Sequence, residues 1–313
     1  MATPARSRLI VPVAFWLGLT AALSALWLSG QAGRAWEVVR EARLVALPVV
    51  VVLGIALPVI HAIRWRVVMA ALGTDVPPLL AADLTVSASL VNYASPGYLG
   101  APAMAFLANR TAGAPWSRSL LSLAIEQGLD FLVLLAGSLI ALALLGPDRV
   151  EDIVPELNRT AQFALGLLLV LGAVLFLLVG RDRITRAAKR IVEAFRALGG
   201  RVDWRIIGVL TLAKWLAQAA VVGLLLWSLR LPVDMTTLLS LATLPLLIGQ
   251  LVPLPGGVGA REAAIVALSG ATGASTAGLL GLAVLQRVLL VAALPLSLAL
   301  LRLARPAGFG GSL

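Results

Sequence analysis

The chain has 313 residues, 60% of them apolar and only 13% charged, with a mean hydropathy of +0.99 and a formal net charge of +10. That composition excludes a soluble globular domain, and the longest polar interval, Arg181 to Arg205, is too short to house a separate catalytic domain. The lack of cysteine removes disulfides, thiolate nucleophiles and Cys-ligated metals; the one histidine, His61, reads as the cap of a helix end, so neither a metal nor a cofactor is expected.

The arginines gather in loops between apolar runs, so the positive charge reads as membrane topology and contact with anionic lipid rather than nucleic-acid binding. Leu9 to Leu28 suffices for one span of ~20 residues and is too long for the apolar core of a signal peptide; Arg6 and Arg8 put its start in the cytoplasm. Leu44 to Ala62 returns as a second span, bent at Pro48 and Pro58, and ends in Arg64-Trp65-Arg66, the residue types of a cytoplasmic interface. Leu79 to Val91 contains Asp83 and runs into Asn92-Tyr93-Ala94-Ser95-Pro96-Gly97-Tyr98-Leu99-Gly100, after which Ala101 to Ala108 leads to Arg110. Neither arm makes a full span, so residues 79–109 are expected to form a re-entrant hairpin entered from the cytoplasm.

Ser119 to Leu145 crosses outward to a net acidic loop, and Phe163 to Val179 returns to the basic stretch 181–205. There Ile184, Ala187, Ile191, Phe195 and Leu198 recur at helical spacing among arginines, which makes a cytoplasmic amphipathic helix ended by Gly199-Gly200. Ile206 to Leu229 crosses out, residues 237–270 form a second hairpin, and Ala277 to Leu301 returns to Arg302, Arg305 and a short tail, 306–313. Both termini are therefore expected in the cytoplasm of an inner-membrane protein.

The second hairpin centres on Leu251-Val252-Pro253-Leu254-Pro255-Gly256-Gly257-Val258-Gly259-Ala260-Arg261-Glu262. Proline removes a backbone donor and paired glycines free the chain from helical geometry, so one helix breaks near Pro253 and a shorter one starts near Gly259. Broken backbone at membrane depth needs protein or a water-filled cavity around it, a setting common at transport sites. Sliding the chain by 159 residues sets Leu79-Leu80 on Leu238-Leu239, Pro96-Gly97 on Pro255-Gly256 and Gly100 on Gly259; Glu126-Gln127 and Gln286-Arg287 coincide to within one residue. The fold expected is all-α, with about six transmembrane helices and two re-entrant hairpins in inverted repeats spanning 1–150 and 151–305.

The half-helix start at Pro255, Gly256, Gly257 and Gly259 offers free N–H groups, Arg261 adds a fork suited to phosphate, and Glu262 caps the helix or pairs with Arg261. The glycines serve either this anion site or tight helix packing. Asn92, Pro96, Gly97 and Gly100 are the matching candidates of the first hairpin. Glu126 and Asp130 lie four residues apart on one helical face inside a span, where each charge costs at least ~2.5 kcal/mol, so they should face the bundle interior. Arg287, in the repeat-related place, is their expected partner, whether the pair locks helices or gates a ligand. Lys214 either touches ligand or snorkels toward a span end, and its place within two turns of that end favours snorkelling.

Pro255-Gly256-Gly257-Val258-Gly259-Ala260-Arg261-Glu262 with the later Arg287 resembles the signature of the lysylphosphatidylglycerol synthase transmembrane, flippase-like family of bacterial and archaeal membrane proteins. The first half is similar through Asn92, Pro96, Gly100 and the Glu126…Asp130 pair, so the likeness extends from about Arg64 to Pro295. Family members carry an acidic residue where this chain has Ala101 and an arginine where it has Gln127. The resemblance covers only the membrane part of the larger two-domain members, whose aminoacyl-transferase domain has no counterpart here; it implies a stand-alone flippase-like protein. The function expected is transport of an anionic lipid or other amphiphile through a midplane cavity built by the two hairpins. No GxxxxGK[ST] nucleotide loop occurs, so movement would follow a gradient, with Glu126 or Asp130 carrying protons, or would be equilibration. A lipid-modifying enzyme and a scaffold for envelope-lipid synthesis are the other readings.

Overall fold

The computed structural model describes residues 32–94, 100–149, 202–251 and 260–303. All regular structure among these is helical: α1 (Ala32–Arg40), a 3-10 turn (Leu44–Ala46), α2 (Leu47–Ala71), α3 (Pro78–Ala94), α4 (Gly100–Ala112), α5 (Trp116–Leu145), α6 (Trp204–Ser228), α7 (Met235–Leu251), α8 (Ala260–Ala267), α9 (Ser269–Thr272) and α10 (Thr276–Leu303). Helix is what an apolar solvent demands, because it satisfies each backbone group within its own segment. Among the described residues four helices are long and apolar enough to cross a membrane, at 44–71, 116–145, 204–228 and 276–301; α3 and α7 are shorter apolar helices. The expected spans at 9–28 and 163–179, the acidic loop after 149 and the amphipathic stretch 181–201 lie outside the described residues, as do Pro96, Gly97 and 252–259.

From α2 onward two sets of four follow one another. α2, α3, α4 and α5 are followed by α6, α7, α8 with α9, and α10, whose starts lie 157, 157, 160 and 160 residues downstream. Contacts inside the first set (α2–α3, α3–α4, α4–α5, α2–α5) have counterparts inside the second (α6–α7, α7–α8, α8–α10, α6–α10). Across the sets α2 packs on α6, while α5 on α7 is matched by α10 on α3. The central pair runs antiparallel. At its one end the Arg43 amide, just before α2, donates to Ser228 O at the end of α6 (2.8 Å), Ser228 Oγ donates back to Arg43 O (3.0 Å), and the Arg43 guanidinium lies 4.9 Å from the Trp227 ring centroid. At the other end Arg64, late in α2, meets Thr211, early in α6.

The arms of the hairpins approach closely where side chains are missing. A Cβ on Gly100 would stand 2.7 Å from Ala88 O and 2.8 Å from Asn92 Cβ, so α3 and α4 meet backbone to backbone. On α5, a Cβ at Gly137 would stand 2.7 Å from the Thr243 side-chain methyl of α7, so this glycine makes room for a side chain. One buried apolar cluster, with Val221, Leu225, Leu241, Ile265 and Leu282, joins α6, α7, α8 and α10; a second, with Trp65, Met69, Leu84, Met104 and Leu123, joins α2 to α5.

One expected boundary moves. The second span does not stop at Ala62: α2 continues to Ala71, and Arg64 and Trp65 are wholly buried in the bundle instead of lying at an interface. The reason is that both find polar partners on neighbouring helices, so that neither needs water.

Candidate functional site

Three helices carry the site, and each contributes polar side chains from an otherwise apolar surface. On α2, His61, Arg64 and Trp65 fall on adjoining faces; on α5, Ser122, Glu126 and Asp130 follow at four-residue spacing; on α6, Thr211 and Trp215 lie four residues apart with Lys214 between them on an adjoining face. Arg64 is the hub. Its Nε donates to Glu126 Oε1 at 2.9 Å, Nη1 to Asp130 Oδ1 at 2.8 Å and Thr211 Oγ1 at 3.2 Å, and Nη2 to Asp130 Oδ2 at 2.9 Å. Only a planar guanidinium spans two carboxylates this way, with a fork-to-fork pair on one and a single bond on the other.

A second donor completes each carboxylate. His61 Nε2 lies 2.9 Å from Glu126 Oε2 and, facing an acceptor-only group, donates its proton. Lys214 Nζ donates to Asp130 Oδ2, and Trp215 Nε1 to Asp130 Oδ1 at 3.2 Å. Trp65 Nε1 donates to Ser122 Oγ at 2.9 Å one turn away. The two positive charges of Arg64 and Lys214 balance the two negative charges of Glu126 and Asp130. Removing two ions from water costs several kcal/mol each, and only well-aligned pairing with further hydrogen bonds offsets that cost; Asp130 accepts four such bonds.

The ions are buried unequally. Arg64 and Glu126 side chains are 0% and 1% exposed, whereas His61 and Lys214 are 22% and 20% exposed. The outer pair lines a cavity of about 200 Å³ between α2, α3, α6 and α10, together with Ser89, Gln218 and the apolar side chains of Leu57, Pro58, Leu290 and Leu294.

This arrangement corrects three expectations. Glu126 and Asp130 do not pair with Arg287: they are held by Arg64, His61 and Lys214, while Arg287 Nη2 binds Glu262 Oε1 at 2.6 Å. Sequence register placed Arg287 opposite the acids, but the acids lie on the α5 face toward α2 and α6, and Arg287 lies on the α10 face toward α8. Lys214 turns inward to Asp130 instead of toward a span end, because a carboxylate buried away from water attracts a cation more strongly than the interface does. His61 stands in mid-helix as a donor to Glu126 and caps nothing.

The hairpin candidates are brought into two places. Asn92 and Gly100 meet beside the turn of the first hairpin as packing partners. Arg261 and Glu262, in the first turn of α8, border a space of about 10 Å³ with Gln286 and Arg287, room for about one water and not for a headgroup. Pro255, Gly256, Gly257, Gly259, Pro96 and Gly97 lie outside the described residues. Arg64, His61 and Trp215 were missed as site residues, and Lys214 was given a ligand role only as the lesser alternative. A signal was present: a histidine and an arginine three residues apart within apolar sequence occupy one helical face, which is costly unless that face is polar inside.

No curated protein and no solved structure matches the chain. The family model described as lysylphosphatidylglycerol synthase TM region matches residues 15–297, which include every helix of the site. The apolar helices and that match agree, and the chain belongs to the lysylphosphatidylglycerol synthase TM region family, as a multi-pass membrane protein consistent with association with lipid.

Proposed function

We propose that the protein is a flippase-like transporter of the inner membrane that moves an anionic lipid or similar amphiphile between leaflets. The carrying observation is the cavity beside the ion cluster, whose lining combines the apolar side chains of Leu57, Leu290 and Leu294 with His61 and Lys214. An amphiphile has the same two-sided chemistry, and about 200 Å³ is the scale of a headgroup rather than of a whole lipid. Antiparallel packing of α2 against α6, which are repeat-related elements, supports inverted halves that rock about the cavity. The arginine-rich loops support cytoplasmic termini. In this reading the second hairpin, with Arg261 and the Glu262–Arg287 pair, meets the headgroup in the opposite access state.

The test is reconstitution in liposomes carrying a labelled anionic lipid or a labelled zwitterionic one. Leaflet exchange above protein-free vesicles, faster for the anionic lipid and suppressed when Leu290→Trp fills the cavity, is the expected result. Chemical conversion of the lipid would replace transport with enzymology, and neither exchange nor conversion would leave a scaffold.

A further inference from the structure

The geometry points to a phosphate-binding subsite on the α6 wall of this cavity, formed by Lys214 Nζ and the Gln218 side-chain amide and flanked by His61. It rests on the transport reading for its source of ligand and names what that cavity recognises. Three observations converge on it. Lys214 and Gln218 are one turn apart on α6 and both line the cavity. The Gln218 Nε2 atom is buried and has no hydrogen-bond partner among the described residues, a donor left waiting for an acceptor. A buried amide of this kind, beside an ammonium group, has a phosphate oxygen as its complementary partner.

The third observation concerns what happens to Asp130 when Lys214 turns to a ligand. Asp130 keeps both Arg64 Nη contacts, at 2.8 and 2.9 Å, and the Trp215 Nε1 contact, at 3.2 Å. The carboxylate is therefore not orphaned, and the 20% exposed lysine is the one donor of the set able to change partner without breaking the fully buried core. Arg64, 0% exposed, holds the frame, and Lys214 works at its edge. His61 is committed to Glu126 through Nε2, which leaves Nδ1 without a partner among the described residues. Binding of a phosphate thus exchanges a Lys214–carboxylate contact for a Lys214–phosphate one, so the carboxylate competes with the ligand and takes the lysine back when the ligand leaves.

Phosphate oxygens come from a lipid headgroup or from free phosphate, and binding measurements on purified protein in zwitterionic nanodiscs separate the two. The probes are short-chain phosphatidic acid, short-chain phosphatidylcholine and inorganic phosphate, each titrated against wild type, Lys214→Gln, Gln218→Leu and a control on the exposed α6 face, Leu212→Ala. The expected result is saturable binding of phosphatidic acid, weakened tenfold or more in Lys214→Gln and several-fold in Gln218→Leu, and unchanged in Leu212→Ala. Gln218→Leu breaks no ion pair, so it keeps the test decisive if Lys214→Gln lowers the folded yield. Inorganic phosphate binding alone, lost in the same variants, upholds the subsite and removes the lipid transport reading. Phosphatidic acid bound equally by wild type and both variants overturns the subsite, and anionic leaflet exchange persisting in them leaves transport standing without it. Phosphatidylcholine carries a phosphodiester balanced by its choline, so binding equal to that of phosphatidic acid would show no preference for a net anionic headgroup and overturn the anionic-lipid reading of the subsite.

Discussion

Arg64 makes four hydrogen bonds to three side chains from a site with no solvent exposure, so its neighbours depend on its fork shape as well as its charge. Deleting one member of a buried ion set leaves uncompensated charge at a cost of about 3–5 kcal/mol. Arg64→Met is expected to lower thermal stability in detergent by that order, and Arg64→Lys to recover only part, since an ammonium group cannot meet both Asp130 oxygens side by side. Adding Glu126→Gln to Arg64→Met should restore some of the loss, which the melting temperatures of the two singles and the double reveal. Glu126→Gln and Arg287→Gln, by contrast, should combine additively within ~0.5 kcal/mol, because the two residues belong to separate ion pairs. Marked coupling between them would mean that the acids reach Arg287 after all.

At the scale of elements, close approach and capping place the helices that carry these residues. Gly100→Ala would push a methyl group to 2.7 Å from the Ala88 carbonyl, a backbone atom that moves only with its helix, so overpacking of about 1–3 kcal/mol is expected. The melting temperature of Gly100→Ala against the open-space control Gly128→Ala measures it; a methyl group added at Gly128 would meet nothing within 4 Å. At the start of α7, Asp234 Oδ1 accepts from the Thr237 amide at 2.9 Å and Oδ2 from the Thr237 hydroxyl at 2.7 Å. The Thr237 hydroxyl first, and its amide second, hold this carboxylate below the usual carboxylate range. With its folded-state pKa depressed, the contribution of Asp234 is complete above its unfolded value, near ~3.9, and is lost as pH falls below it. Asp234→Ala should therefore cost about 1 kcal/mol at neutral pH and progressively less below about pH 4, as melting curves at pH 7 and in acid would report.

For the whole molecule the decisive property is the orientation of the two sets of helices relative to the bilayer. Asp75, between α2 and α3, and Val233, between α6 and α7, occupy corresponding turns of the two sets of helices and are both exposed. The chain contains no cysteine, so Asp75→Cys and Val233→Cys each report one position cleanly. Inverted halves require an impermeant thiol reagent to label them from opposite sides; labelling from one side would make the halves parallel repeats and end the rocking model.

Much of this molecule was legible in its chain because the solvent is hydrocarbon. Apolar runs of span length had to become helices, and α5, α6 and α10 stand within a few residues of where hydropathy put them. The Pro-Gly breaks marked where α3 and α7 end, since proline and glycine act through local geometry. The burial of Glu126 and Asp130 followed from the cost of a charge in lipid. Which cations answer them was decided only by tertiary structure. Register along the chain says which residues share a helix face, but the angle at which α2, α5 and α6 cross decides which faces meet. That angle brought Arg64 and Lys214 to the carboxylates from 62 and 84 residues away, and left Arg287 to Glu262.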